Sequence, residues 1–154
     1  MDRAWLQGCL LACLALVCCG APAAQGSALE PFRWKNRLLL IFAPEVKHPE
    51  LLGQNQVIAK CPGGFLERDM RIIRIVGEET TLDGRSRPDW SAGELRQKFK
   101  VSGKVFALVL VGKDGRRKLT SPRVVGREKL FTTIDAMPMR RQEMRERTSS
   151  GCDT

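Results

Sequence analysis

The sequence predicts an α/β domain with the element order β-α-β-α-β-β-α around a four-stranded mixed sheet. Three observations carry that prediction. The runs Arg37–Ala43 and Val105–Val111 are apolar almost throughout, the composition of strands covered on both faces. A helical pattern separates the first run from Met70–Val76, as a parallel β-α-β crossover requires. Lys113-Asp114-Gly115 then forms a hairpin turn, because Asp-Gly tolerates positive φ, and the turn adds an antiparallel strand. A length of 154 residues suits one domain, and 43% apolar with 28% charged residues excludes a chain disordered by composition.

The elements follow in order. Residues 4–19 form an apolar run with Gln7 as its one strongly polar side chain, and Ala21-Pro22-Ala23 offers a small-x-small cleavage pattern. Residues 1–23 are therefore read as a signal peptide, with a secreted, extracellular or periplasmic destination and no permanent membrane anchor. Residues 24–36 are a Gly/Ser/Pro-bearing lead-in. Arg37–Ala43 is the first strand, and Glu50–Lys60 the first helix, broken by Cys61-Pro62-Gly63-Gly64, with one further turn at Phe65-Leu66. Met70–Val76 is the second strand. Residues 78–88, with Asp83-Gly84 and Pro88, read as a polar loop. Ser91 and Glu94 have capping-box spacing, Trp90 and Leu95 staple spacing, and Gly103 lies just past the end of that helix. Val105–Val111 is the third strand and Arg116–Thr120 a basic edge strand whose charges oppose edge-to-edge pairing. Over 127–137, Leu130, Phe131, Ile134 and Met137 share one helical face, and Pro138 interrupts it. Arg140–Arg147 is a charged extension, and the tail over 146–154 is expected to be disordered.

This order is that of a thioredoxin-like core, with strands arranged second, first, third, fourth. In such a core the chemistry sits where the first strand runs into the first helix, and a cysteine there is activated by the helix N-terminus. Here that loop reads Ala43-Pro44-Glu45-Val46-Lys47-His48-Pro49 and contains no cysteine. Ser102-Gly103-Lys104-Val105 stands where the usual cis-proline would precede the third strand. No catalytic residue is therefore assigned. The alternative is a thiol-dependent redox enzyme, peroxiredoxin- or thioredoxin-like, using Cys61. Of six cysteines, four lie in the first 19 residues, leaving Cys61 and Cys152. They either form a disulfide or stand as a small buried residue and a free thiol. His48, the only histidine, is read as a solvated loop residue, although Glu45 is near enough in sequence for an acid–base pair. Asp83 and Asp89 lack the clustering that holds a metal, and no metal or cofactor is expected.

The net charge is +9, and Lys113–Lys129 carries seven bases against two acids. Arg116, Arg117, Lys118, Arg123 and Arg127, with Arg140 and Arg141 beyond, are the candidate ligand-binding residues. Such a stripe suits an anionic polysaccharide or another extracellular polyanion, or else simply keeps the surface soluble. The sequence contains no tyrosine, and Trp34 and Trp90 are its only tryptophans past residue 23. Specific nucleic-acid binding is therefore not expected. Arg140, Arg141 and Gln142 present fork-shaped donors and an amide, which suit either the sheet edge and the Asp135 carboxylate or an anionic ligand.

Three segments resemble a known family. Phe32–Pro44, Val111-Gly-Lys-Asp-Gly115 and Ile134–Met144 are similar to the domain of unknown function 4174, over residues 31–145. The resemblance implies a thioredoxin-like fold without an established activity. For the animal members it implies extracellular-matrix association and binding to sulfated glycans.

Overall fold

The computed structural model describes residues 28–149. The expected signal peptide, residues 24–27 of the lead-in, and Cys152 lie outside the described residues. One six-stranded mixed sheet organises the chain, with strand order β4-β3-β2-β1-β5-β6. At its centre β1 (Arg37–Ala43) pairs parallel with β2 (Met70–Val76) and antiparallel with β5 (Ala107–Val111). β6 (Arg117–Ser121) follows β5 across the hairpin and forms one free edge. The inner four strands therefore run in the order read from the sequence.

Two further strands correct that reading. Residues 78–88 are not a loop but a second hairpin, β3 (Glu79–Leu82) and β4 (Arg85–Ser86), added antiparallel to β2. Its turn is Asp83-Gly84, with φ of 48° and 83°, the doubly positive geometry that matches the twist of the flanking strands. Asp83 also satisfies backbone: its N–H donates to the Ile72 carbonyl, and its Oδ1 accepts from the Ile72 N–H, both at 2.8 Å.

Every residue of β1 is buried, because its two side-chain rows serve two cores. Leu39, Ile41 and Ala43 face α1 (Pro49–Ala59), α2 (Pro62–Glu67) and α4 (Arg127–Asp135) through Leu51, Ile58, Phe65, Leu130 and Ile134. Leu38, Leu40 and Phe42 face α3 (Ala92–Phe99) through Leu95 and Phe99, joined by Leu29 from a 3-10 turn at Glu30–Phe32. The layers are thus helix, sheet, helix. Gln54 ties the first layer down. Its buried amide donates to the Val125 carbonyl and accepts from the Val125 N–H, so α1 holds the start of α4 without an unpaired polar group.

Ser91 caps α3, its Oγ accepting from the Glu94 N–H at 3.2 Å, and Trp90 and Leu95 lie in the same core cluster. The helix ends earlier than Gly103 implied. Lys100 takes the left-handed position (φ 56°), and the Val101 N–H reaches back to the Arg96 carbonyl, a Schellman closure. β5 begins at Ala107 and leaves Val105 exposed. After Pro138 the chain starts a new helix, α5 (Pro138–Ser149), so residues 146–149 of the expected disordered tail are helical; 150–154 lie outside the described residues.

The new hairpin gives a direct test. Gly84→Ala is expected to destabilise by about 1 kcal/mol, since Ala is strained at positive φ. Gly63→Ala, helical with open space around it, is expected to be neutral or slightly stabilising in the same urea titration.

Candidate anion-binding site

The end of the sheet where β1 and β2 begin is closed by charge. Arg37 starts β1 and is fully buried. Its two terminal nitrogens grip the Glu143 carboxylate of α5 at 2.9 and 3.1 Å, and one also donates to the Arg68 carbonyl at 2.9 Å. Lys113, from the β5–β6 hairpin, reaches both Glu143 and Asp69 at 2.8 Å. Arg68 forks onto Asp135 at 3.0 and 2.7 Å and lies over the Phe131 ring at 4.0 Å. Four bases, Arg37, Arg68, Lys113 and Arg140, thus meet four acids, Glu67, Asp69, Asp135 and Glu143.

Arg140 belongs to this network and is not a surface ligand residue. Its side chain is 1% exposed, with Nε 3.2 Å from Asp135 and a terminal nitrogen 2.6 Å from Glu67. The Asp135 clamp was one of the two uses its sequence context suggested. Burial pushes the Asp135 and Glu143 carboxyls up. Hydrogen bonds from Arg68 and Arg140 to Asp135, and from Arg37 and Lys113 to Glu143, outweigh burial and hold both below the ordinary carboxylate range. The sign follows from linkage. Acids depressed in the folded state add stability above their unfolded pKa, near 4, and that stability is lost as pH falls through the lower folded values.

The remaining candidates are spread over the surface. Arg116 and Arg117 line a cleft of about 400 Å³ between the 3-10 turn, the end of α3 and the hairpin. Arg33 and Lys98 also line it, with Glu30 and Asp114 as its acids. Arg117 is fixed on Phe99, donating to its carbonyl at 3.3 Å with the guanidinium 5.6 Å from the ring centre. Arg116 is exposed; its charge acts on the Asp114 carboxylate, which also accepts from its backbone N–H at 3.1 Å. Trp34 stands beside the cleft, 59% exposed and at φ 64°, with the Arg33 guanidinium 5.4 Å from its ring. Lys118 is turned instead onto Asp114 at 2.7 Å. Gly112 permits that pairing, for a Cβ there would come within 2.6 Å of both side chains.

Arg127 lines a separate crevice of about 330 Å³ with Lys60 and Glu128. Arg123 is exposed on the β6–α4 connection and Arg141 on α5. The stripe of the sequence is therefore not one patch. Among the described residues Arg116 and Arg117 line one cleft together, with Arg33 and Lys98 in its wall and Trp34 beside it, none of which the linear charge count selected. Their signal was the clash of an exposed-looking Trp with bases on either side, at 33–35.

His48 stacks on Phe106 (6.0 Å, 11°) and lies 3.0 Å from Glu50, not Glu45. Arg96 fills the adjoining strand ends, donating to the Ala43 and Gly77 carbonyls at 3.2 and 2.8 Å. Cys61 stands at the start of α2 as well as the end of α1, close to Gly64 and Phe131, and is half-buried without a disulfide among the described residues. Among the described residues no cluster of three His, Cys, Asp or Glu is placed to hold a metal, and no helix is long and apolar enough to cross a membrane.

Fold and surface together define an α/β domain with a mixed six-stranded sheet, a neutralised charged interior and cationic clefts. The family model of a domain of unknown function, DUF4174, matches residues 28–143, and the chain belongs to that family. It is 31% identical over 120 residues to the sushi repeat-containing protein SRPX of Rattus norvegicus, covering 75% of this chain and 26% of that protein. It is 33% identical over 125 residues to the rat sushi repeat-containing protein SRPX2, covering 77% of this chain and 26% of the relative. With coiled-coil domain-containing protein 80 of Danio rerio it shares 28% identity over 151 residues, 84% of this chain and 17% of that one. The chain thus spans about a quarter or less of these relatives' length. No solved structure matches it.

Removing Glu143 should expose how much the charged closure matters. Glu143→Gln strands the buried Arg37 and leaves Lys113 with one carboxylate, so it is expected to cost about 3 kcal/mol in a urea titration at neutral pH. Glu67→Ala removes a half-exposed partner while Arg140 keeps Asp135, and is expected to cost under about 1 kcal/mol.

Proposed function

We propose that this chain is a secreted, non-catalytic module of thioredoxin-like build that binds an acidic polysaccharide in the cleft between the hairpin and α3. The observation that carries the reading is the cleft itself. Two guanidinia of the hairpin, Arg116 and Arg117, converge there with Arg33 and Lys98, beside an exposed tryptophan. Guanidinium forks match planar carboxylate and sulfate oxygens, and an indole face offers an apolar platform for a sugar ring. The backbone strain of a bulky residue at φ 64° fits a side chain held outward for contact. The β-α-β core, with β2-β1-β5-β6 at its centre, supports the thioredoxin-like description. The apolar N-terminal run supports secretion. Lack of a cysteine in the β1–α1 loop, and the use of Arg96 to close the strand ends, support a binding rather than a redox role.

The test is affinity for a heparin oligosaccharide across a salt series. Arg116→Ala/Arg117→Ala is expected to weaken binding about tenfold, roughly 1.4 kcal/mol, and to flatten the salt dependence. Lys118→Ala, already paired with Asp114, should change affinity less than twofold. Unchanged binding in the double variant would overturn the assignment of the cleft.

A further inference from the structure

The second hairpin builds another cationic cleft that the linear charge pattern did not reveal. It has a volume of about 510 Å³ and is lined by Arg71, Leu82, Asp83, Arg85, Ser86 and Arg87, at the sheet edge opposite β6. Register explains why three arginines meet there. Ile73 of β2 lies across from Leu82, and Leu82 lies across from Arg85. Side chains two apart along a strand share a face, so Arg71, Leu82, Arg85 and Arg87 all stand on the α3 face.

Each guanidinium is differently held. Asp83 takes the Nε of Arg71 and leaves its terminal nitrogens for other acceptors. Arg87 donates two hydrogen bonds to the Asp89 carboxylate, at 2.9 and 2.6 Å, and lies 4.2 Å over the Trp90 ring. Arg85 is exposed and has no carboxylate partner among the described residues. Ser86 adds a hydroxyl to the wall.

The hairpin cleft is lined by Leu38, Val111 and Phe99, so it too opens on the α3 face. Between the two clefts runs the 3-10 turn, where Phe32 meets Trp90 edge-on at 5.9 Å. The two clefts adjoin where Leu38 pairs with Arg71, but three strand spacings separate Arg71 of β2 from Arg117 of β6 and five separate Arg85 of β4 from it, so their arginines stand roughly 15–25 Å apart across the sheet. A single sulfate or carboxylate cannot reach the arginines of both, whereas an extended chain can.

We propose that Arg71, Arg85 and Arg87 form a second anion site that takes a sulfate or carboxylate of the same linear polysaccharide bound at Arg116 and Arg117, so that one acidic chain is held at two points across the α3 face. The two-point part rests on the polysaccharide reading above, while the second cleft stands on its own geometry. Holding both ends raises affinity through effective concentration without new contacts.

Two of the three tryptophans report the clefts, Trp34 beside Arg33 and Trp90 beneath Arg87, and Trp5→Phe removes the third resonance. The experiment titrates the full chain, labelled with fluorotryptophan, with a sulfated heparin disaccharide and an octasaccharide. Both ligands should move the Trp34 and Trp90 resonances, and the octasaccharide should bind at least tenfold more tightly than the disaccharide. Arg71→Gln/Arg85→Ala should still the Trp90 resonance, leave the Trp34 response intact and abolish the length advantage. Arg85→Ala alone, on an exposed edge, should reduce that advantage several-fold if the double variant fails to fold. A Trp90 resonance unmoved by either ligand, or a length advantage surviving in the variants, overturns the second site. If Trp34 is silent as well, the polysaccharide reading falls with it.

Discussion

The bidentate grip of Arg37 on Glu143 is the contact on which the lower end of the domain depends. Arg37 begins the central strand and is wholly buried, while Glu143 lies on α5, the last element of the fold. A charge placed there is costly unless it is paired and its remaining donors satisfied. The chain supplies the pairing from β1, α2, the α2–β2 connection, the β5–β6 hairpin, α4 and α5; both terminal nitrogens of Arg37 are satisfied, while its Nε has no partner among the described residues. Lys113 alone links the hairpin to α5 and to Asp69. α5 contributes little apolar area, so its position is set by ion pairs whose partners are fixed in turn by the sheet.

That arrangement takes Arg140 out of the basic surface without changing the net charge, because four bases are matched by four acids. Arg140, Lys113, Arg68 and Arg37 are spent inside, against acids from distant parts of the sequence. What is left exposed is divided among separate clefts. The proposed binding face therefore depends less on net charge than on which guanidinia stay exposed, Arg116 and Arg85 foremost among the described residues.

Much of the fold was legible because single signals were sufficient. The uninterrupted run at 37–43 announced a strand covered on both sides, and Ser91 with Glu94 marked the start of α3. The Asp114-Gly115 turn was equally readable. Asp83-Gly84 carries the same chemistry, but polar Glu and Thr residues before it masked a half-exposed edge hairpin. The left-handed Lys100 gave no composition signal, since its closure depends on Val101 packing into the core. The site was less legible than the fold. Arg37 looked like the charged border of a strand, and only Glu143, 106 residues away, makes its burial tolerable. Arg140 with Asp135 was readable because the two are local. Arg33 and Trp34 join Arg116 through the hairpin, a contact that no linear pattern contains.

Native-state hydrogen exchange of the α5 amides tests this account most directly. If the Arg37–Glu143 network fastens the helix, the Arg141 amide, bonded to the Met137 carbonyl, and its neighbours should exchange only through openings nearly as costly as those of β1. Glu143→Gln should release them selectively while β1 stays protected. Exchange of α5 at the rate of an unstructured chain in the unsubstituted protein would contradict it.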